Sequence, residues 1–334
     1  MTGDRKILTL QGLFILMGIG AVVLSLCMGR YRIHLYDVFR LFAGFPAEDK
    51  MAANVIFGIR LPRVIMAFIV GAGLSAAGVS LQAMFGNPLV SSHILGVSAS
   101  AGFGAALGIL LSGRFWIIQG TAILFGFGGM GIAYYMGTRR GRTGILMLVL
   151  SGIIVAAVFE ALTSLVKYAA DPEEKLPAIT YWLMGSLSSV AVKDIFTAAP
   201  AILAGILILW FLRWQLNVIS LREDEAVSLG LNLKRLRRII IVATTVIAAV
   251  TVSVCGIISF VGLAVPHFAR MLVGNDNRQV IPASIFLGGV FVVLMDTAAR
   301  CISSAEIPLS ILTAIIGAPF FGILLRRTGG SWND

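Results

Sequence analysis

The chain has 334 residues, of which 58% are apolar and 13% charged, and its mean hydropathy is +0.95. Soluble globular domains average about 45–50% apolar and about 25% charged residues, so this composition excludes a soluble protein and indicates an integral membrane protein. The formal net charge of +10 needs no nucleic acid to explain it, because basic residues flank membrane spans.

Ten apolar segments follow one another along the chain and predict transmembrane helices. A hydrocarbon core about 30 Å thick takes about 20 helical residues, and the roughly 10-residue alternating segments of a β-barrel are not found. Gly, Pro and charged residues delimit the predicted helices, at residues 7–28, 61–85, 93–111, 116–137, 144–167, 195–214, 236–254, 257–273, 281–300 and 308–325. We predict an all-α polytopic membrane protein, with residues 1–334 forming one transmembrane domain and the first helix retained rather than cleaved.

Lys and Arg are distributed unevenly between the two sides that these spans define. The densest basic clusters lie at 139–142, 234–238 and 326–327, on the side that carries both chain ends. Because basic residues mark cytoplasmic loops, both termini are predicted to be cytoplasmic.

The second predicted span opens with two arginines, Arg60 and Arg63. They are three residues apart, so we expect both to project from one face of the first helical turn. Snorkelling at a membrane border is one interpretation. Two rigid guanidinium groups at a helix entrance, on the side that usually avoids cations, also suit carboxylates of a partner. Arg300, at the outer end of the ninth span, is a third candidate, and it can pair with Asp296 four residues earlier.

Residues 217–238 form a polar island, NVISLREDEAVSLGLNLKRLRR, in this apolar chain. Acidic residues from Glu223 to Glu225 and a stop at Gly230 predict a short helix. Its basic second half could rest on anionic headgroups. The acidic first half would be repelled there, whereas Glu223, Glu225, Ala226 and Leu229 suit a protein groove with basic walls.

On the outer side, residues 168–194 contain a possible short helix from Ala178 to Leu187, in which Tyr181 and Trp182 are typical of a membrane interface. Nucleotide-binding, metalloprotease and hydrolase motifs are absent from the sequence, so we predict no catalytic residue. Cys27, Cys255 and Cys301 lack the spacing of a metal site or a disulfide framework, so we predict no bound metal.

Taken together, the motifs resemble the permeases of binding-protein-dependent ABC importers for iron-siderophores, haem and cobalamin. The matching stretches run over nearly the whole chain, namely RLPRVIMAFIVGAGLSAAGVSLQAMFGNPL from Arg60, ILGVSASAG from Ile94, YWLMGSL from Tyr181, EDEAVSLGLN from Glu223, GIISFVGLAVPHFARMLVGNDNR from Gly256 and EIPLSILTAIIGAPFF from Glu306.

This resemblance implies a cobalamin-importer-type fold in the cytoplasmic membrane of a bacterium or archaeon. It implies a homodimer with two cytoplasmic ATPase subunits, which use ATP and Mg, and an extracytoplasmic substrate-binding protein. By the same resemblance, the binding protein docks on Arg60, Arg63 and Arg300, and Glu223, Glu225, Ala226, Leu229 and Gly230 couple to the ATPase. Tyr181 and Trp182 correspond to an outer gate, and Thr143 and Gly144 to an inner gate. The cargo would be a metal chelate moved by ATP-driven alternating access. The alternative is an ion-coupled secondary transporter that acts without an ATPase; the sequence has few acidic residues within its spans.

Overall fold

The protein is described here by a computed structural model that covers residues 2–45, 49–139, 142–221, 223–303 and 305–328. Its α-helices, in chain order, are α1 Thr2–Cys27, α2 Leu35–Phe42, α3 Lys50–Asn54, α4 Leu61–Phe85, α5 Val97–Leu111, α6 Phe115–Gly137, α7 Ile145–Ala169, α8 Lys175–Leu183, α9 Val192–Phe211, α10 Gln215–Ile219, α11 Glu223–Ser228, α12 Leu233–Cys255, α13 Val261–Val273, α14 Asn277–Ile302 and α15 Leu309–Thr328. Two short strands, β1 Thr138–Arg139 and β2 Arg142–Thr143, pair antiparallel.

The predicted all-α membrane fold is confirmed, and each of the ten predicted spans corresponds to a helix. Among the described residues, six helical runs are long and apolar enough to cross a membrane, and four apolar helices are shorter. Helices α5 and α13 have 15 and 13 residues. At 1.5 Å per residue they are about 23 and about 20 Å long, less than the roughly 30 Å of a hydrocarbon core. Neither helix is therefore long enough to cross the core by itself.

Helix α4 is the centre of the bundle, since 83% of its most apolar window is buried inside the chain. It packs along α14 with so little space that a Cβ added to Gly71 would lie 2.1 Å from the carbonyl oxygen of Gly288. A Cβ on Gly78 would lie 2.0 Å from the carbonyl oxygen of Gly262 in α13. Small residues let helix backbones approach where lipid provides no hydrophobic drive, so α4, α13 and α14 form a tightly packed unit.

The start of the second span differs from the prediction. Helical structure begins at Lys50 rather than at Arg60, because α3 continues through a π-helical turn, Val55–Arg60, into α4. A π-helical turn changes the hydrogen-bond spacing locally. Pro62 is the second residue of α4, where the missing N–H of proline is accommodated.

One further expectation is corrected. The short outer helix is α8 at Lys175–Leu183, about one turn earlier than predicted.

Candidate functional site

A buried network of charged side chains lies where the start of α4 meets the end of α14. Nε of Arg63 donates to both carboxylate oxygens of Asp296, at 2.8 and 2.9 Å. Arg63 also contacts Glu306 at 3.0 Å, and Nε of Arg300 lies 3.2 Å from Oδ2 of Asp296. Two positive and two negative groups therefore form a neutral quartet, and the side chains of Arg63 and Asp296 are 4% and 1% exposed.

Two of the arginines also donate hydrogen bonds to helix α1 and to the loop that follows it. Arg300 donates to the hydroxyl of Ser25 at 2.7 Å. Arg60 donates to the carbonyl oxygens of Leu26 and Tyr31. Because a buried charge without partners is costly, these bonds explain how three arginines fit at the end of an apolar bundle.

This arrangement corrects the expected geometry of the basic pair. Arg60 and Arg63 are 3% and 4% exposed, and Arg300 is 6% exposed. Arg60 faces the end of α1, whereas Arg63 faces α14 and Glu306. The two side chains therefore do not form one exposed basic surface. Their role in docking a binding protein stays a prediction, but these guanidinium groups are not free in the conformation described. Glu306 and Ser25 were missed, because Glu306 is 243 residues from its partner Arg63 and Ser25 is 275 residues from its partner Arg300.

At the opposite end of the same helix pair, the polar island is anchored to the bundle. The side-chain amide of Asn217 donates to Oδ1 of Asp276 at 2.6 Å, and the Asn217 side-chain oxygen accepts from the backbone N–H of Asn277 at 2.7 Å. The hydroxyl of Ser220 lies 3.2 Å from the carbonyl oxygen of Ala83 in α4. We call Asn217, Ser220 and Asp276 the inner latch, because together they connect the island to both α4 and α14.

Asp276 caps α14 and is held ionised by its neighbours. A hydrogen bond from the Arg278 side chain, with a smaller contribution from Asn217, lowers the pKa of Asp276 to about 2. An ionised carboxylate at a helix N-terminus is also attracted to the positive end of the helix dipole.

The predicted short helix of the island is present as α11, Glu223–Ser228. Ala226 is 1% exposed and packs into the core, whereas Leu229 is 57% exposed and Glu225 is also exposed. Gly230 has a φ of +78°, a conformation that glycine adopts without strain. The side chain of Glu223 lies outside the described residues. Ala226 therefore anchors the segment, and Glu225 and Leu229 face outward, free to contact a partner.

The gate candidates lie in two separate places. Tyr181 and Trp182 are at the end of α8, beside a cavity of about 110 Å³ that Ser186 and Cys255 also line. Thr143 pairs with Thr138 in the short hairpin before α7, and its side chain is outside the described residues. Gly144 is the exposed N-cap of α7. The gating roles of these four residues stay predictions.

The residues that follow α8 form backbone hydrogen bonds with two other elements. The carbonyl oxygens of Gly185 and Met184 accept from the N–H groups of Leu309 and Ser310, at 2.9 and 3.2 Å. The N–H of Ser186 donates to the carbonyl oxygen of Cys255 at 2.9 Å. These bonds satisfy N–H groups at the start of α15 that the helix itself leaves unpaired, so α8, α12 and α15 are mechanically connected.

Within the part of the chain that the structure describes, no group of three or more His, Cys, Asp or Glu residues is placed to hold a metal ion. The arrangement has instead two polar ends, the buried quartet and the inner latch, joined by the helix pair α4–α14.

Comparison with known proteins matches this arrangement over almost the whole chain. The profile of the FecCD transport family matches residues 15–327. The molybdate import system permease protein MolB of Haemophilus influenzae is 41% identical over 322 residues, which cover 95% of each chain. An iron chelatin transport system permease protein of Helicobacter pylori is 39% identical over 285 residues, or 85% of this chain and 86% of that one. A solved structure described as an inward-facing conformation of a metal-chelate type ABC transporter is 38% identical, with a TM-score of 0.88 over 96% of this chain and 99% of that one.

Proposed function

The chain belongs to the FecCD transport family, and from that premise we propose that it is the membrane permease subunit of a binding-protein-dependent ABC importer. The cargo is a metal chelate or a metal oxyanion, the two classes named for the relatives above. The similarity of the complete fold to a metal-chelate type ABC transporter is the observation that carries this proposal.

The partners follow from this function. A second copy of the chain completes the pathway, two cytoplasmic ATPase subunits bind ATP and Mg, and an extracytoplasmic binding protein delivers the cargo. The inner latch end of the bundle faces the cytoplasm, as the basic residues of the island and its neighbours favour. The quartet end then faces outward, in the cytoplasmic membrane of a bacterium or archaeon.

Helices α4 and α14 are suited to transmit movement between the two ends. Their backbones are in direct contact at Gly71 and Gly288, and they carry the quartet at one end and the inner latch at the other. The 26 residues of α14 span about 39 Å at 1.5 Å per residue. When ATP binding closes the ATPase pair, movement of α11 is transmitted through the inner latch to this helix pair. Contacts that differ between the inward-facing and outward-facing states then drive alternating access.

The burial of the three arginines limits how a binding protein can dock. Because Arg60, Arg63 and Arg300 are buried and paired, a partner carboxylate must either displace Glu306, the most exposed acid of the quartet at 25%, or contact the surrounding surface. A cavity of about 690 Å³ adjoins the quartet and is lined by exposed Arg30, Arg32 and His34. These three side chains offer accessible positive charge to an acidic lobe of the binding protein.

The competing function, an ion-coupled carrier, has less support. Such carriers use ionisable groups free to exchange ions at membrane depth. Asp296 is held by two arginines, and Asp194 accepts a hydrogen bond at 2.7 Å from the N–H of Ala191 as part of the cap of α9.

A charge reversal in α11 tests the proposed function. Glu225→Lys should abolish ATP-dependent uptake and weaken co-purification of the ATPase, because Glu225 lies on the outward face of the coupling helix. The matched control is Glu173→Lys, an exposed Glu between α7 and α8 on the quartet side, which should leave ATPase assembly intact. Uptake by the purified permease alone in liposomes, without nucleotide, would show that the proposal is wrong.

A further inference from the structure

Helix α2 is amphipathic in an unusual sense, because much of its exposed side is apolar. Val38 is 3% exposed and packs into the core, and Leu41 packs against the same core. Phe39 and Phe42, by contrast, are 60% and 53% exposed, and Leu35 is 48% exposed. Positions 35, 39 and 42 follow one another at four and three residues, so these side chains share one face of the helix.

The charged residues of α2 lie on the remaining side. Asp37 and Arg40 are three residues apart, and each is half-buried. The guanidinium carbon of Arg40 lies 5.5 Å from the centroid of the Tyr36 ring, and Tyr36 is 66% exposed. The helix therefore has a buried strip, a polar strip and an exposed apolar strip. We call the residues of the exposed apolar strip, Leu35, Tyr36, Phe39 and Phe42, the outer apolar face.

Contacts with the bundle fix the position of α2 at the quartet end. The helix follows α1 after the loop of residues 28–34. Arg60 holds this loop by donating to the carbonyl oxygen of Tyr31, and the backbone N–H of Ile33 donates to the carbonyl oxygen of Cys27 at 3.2 Å. The direction of the outer apolar face is therefore set by the bundle.

The outer apolar face is continuous with the exposed surface of a membrane span. The rings of Phe42 and Phe57 have their centroids 5.7 Å apart. Phe57 and Ile59 are 42% and 56% exposed, and both belong to the apolar helical run Met51–Phe85. This run has 35 residues, or about 52 Å at 1.5 Å per residue. A bilayer with its headgroups is about 40–45 Å thick, so a run of this length reaches the headgroup layers.

Lipid is the partner that the side chains of this face favour. An exposed apolar patch marks a contact with a protein or a membrane, and aromatic rings are enriched where headgroups meet acyl chains. Arg40, beside the Tyr36 ring, has the long stem with which a cation reaches from an apolar surface to the lipid phosphates. The contact with Phe57 joins the same face to a span.

We propose that α2 is an interfacial helix whose outer apolar face lies in the boundary between the headgroups and acyl chains of the lipid bilayer. Helices of this kind bury their apolar side about 5–10 Å into that boundary. The proposal goes beyond the proposed function, because it depends on neither the cargo nor the ATPase.

An anchor of this kind has a consequence for the neighbouring basic loop. Asp37, on the polar strip of α2, lines a cavity of about 460 Å³ together with Arg30, Arg32 and His34. With the outer apolar face in lipid, the polar strip and this cavity are directed away from the hydrocarbon. The lipid contact then holds the exposed cations of the loop at the membrane surface.

The test measures what surrounds the outer apolar face in the complete chain, purified and reconstituted in phosphatidylcholine nanodiscs. Phe39→Cys and Phe42→Cys each carry a nitroxide label, in a background in which the native Cys27, Cys255 and Cys301 are replaced by alanine. Electron paramagnetic resonance then compares collisions of the label with oxygen, which concentrates among acyl chains, and with a water-soluble nickel chelate.

The ratio of oxygen to nickel collisions should be several-fold higher at positions 39 and 42 than at two control positions. Asp37→Cys is the matched control, because it lies on the polar strip of the same helix. Glu173→Cys labels an exposed loop residue at the quartet end. Leu124→Cys, which is 68% exposed on α6, provides the reference for a lipid-facing label.

Each other result overturns the proposal. Frequent nickel collisions at positions 39 and 42 would place the face in water, and rare collisions with both reagents would assign it to a protein interface, such as one with a second copy of the chain. Should the cysteine-free chain fail to fold, Phe39→Trp in the native background gives the same decision. Brominated phosphatidylcholine should quench the added fluorescence, and an unquenched signal would refute the lipid contact.

Discussion

Replacing Asp296 by Asn is expected to destabilise the protein strongly, because it removes the central anion of the buried quartet. Asn has nearly the same size as Asp, so the change leaves the packing of α4 against α14 intact. The charge balance does change, since Arg63 and Arg300 then face a single carboxylate, that of Glu306.

The magnitude follows from the burial of the partners. The side chains of Arg63 and Asp296 are 4% and 1% exposed, with contacts of 2.8–2.9 Å. Removing one partner of a buried ion pair typically costs about 3–5 kcal/mol, because the remaining charge stays buried without compensation. Glu306→Gln is the graded control. Glu306 is 25% exposed and touches Arg63 through one contact, so its loss should cost about 1 kcal/mol or less.

The assay is unfolding of the purified chain by titration with sodium dodecyl sulfate in mixed micelles, followed by circular dichroism. Adding Arg300→Gln to Asp296→Asn restores a neutral cluster, so the double variant should be more stable than the sum of the two single losses predicts, by about 0.5–3 kcal/mol. A single Asp296→Asn variant within about 1 kcal/mol of the wild type would refute this account, and the quartet would then be open to water.

Two further predictions concern the packing of α4 and the cap of α14. Gly71→Ala should destabilise the protein by about 1–3 kcal/mol, because the new Cβ would lie 2.1 Å from the carbonyl oxygen of Gly288. The control is Gly120→Ala on α6, where a new Cβ has nothing within 4 Å. This variant should be neutral or slightly stabilising in the same titration. If both variants unfold alike, the contact between α4 and α14 is not as tight as described. Asp276 has its folded pKa lowered to about 2 from 3.8, chiefly by Arg278, so its stabilising contribution is present above about pH 4 and is lost as the pH falls towards 2. Asp276→Asn should flatten the stability profile in that window, and an unchanged slope would contradict the role of this cap.

Much of the fold could be predicted from local sequence. Apolar segment length and the positions of Gly and Pro located all ten spans, and α4 was bounded correctly at Phe85, where Gly86 has a φ of +59°. The acidic start and Gly230 located α11 for the same reason, since capping and helix termination depend on neighbours in sequence. The pairing of Asp296 with Arg300 was also confirmed, because both residues lie on one helix.

The partners of Arg63 could not be predicted in the same way. Asp296 and Glu306 are 233 and 243 residues away in sequence, so sequence spacing holds no information on their contact. The pattern RLPR gives the position of the charges but not what packs against them. The π-helical turn before α4 was not predicted either, because such turns are rare.

The sequence by itself determined the class of the protein, since composition and hydrophobic length decide which segments enter a bilayer. It also determined the short helices, whose caps are local. Only the tertiary structure decided which polar groups meet inside the bundle. His93, Ser259 and Ser310 are brought together by the ends of three helices that are far apart in the chain, and packing of those helices is a long-range property that no single segment encodes.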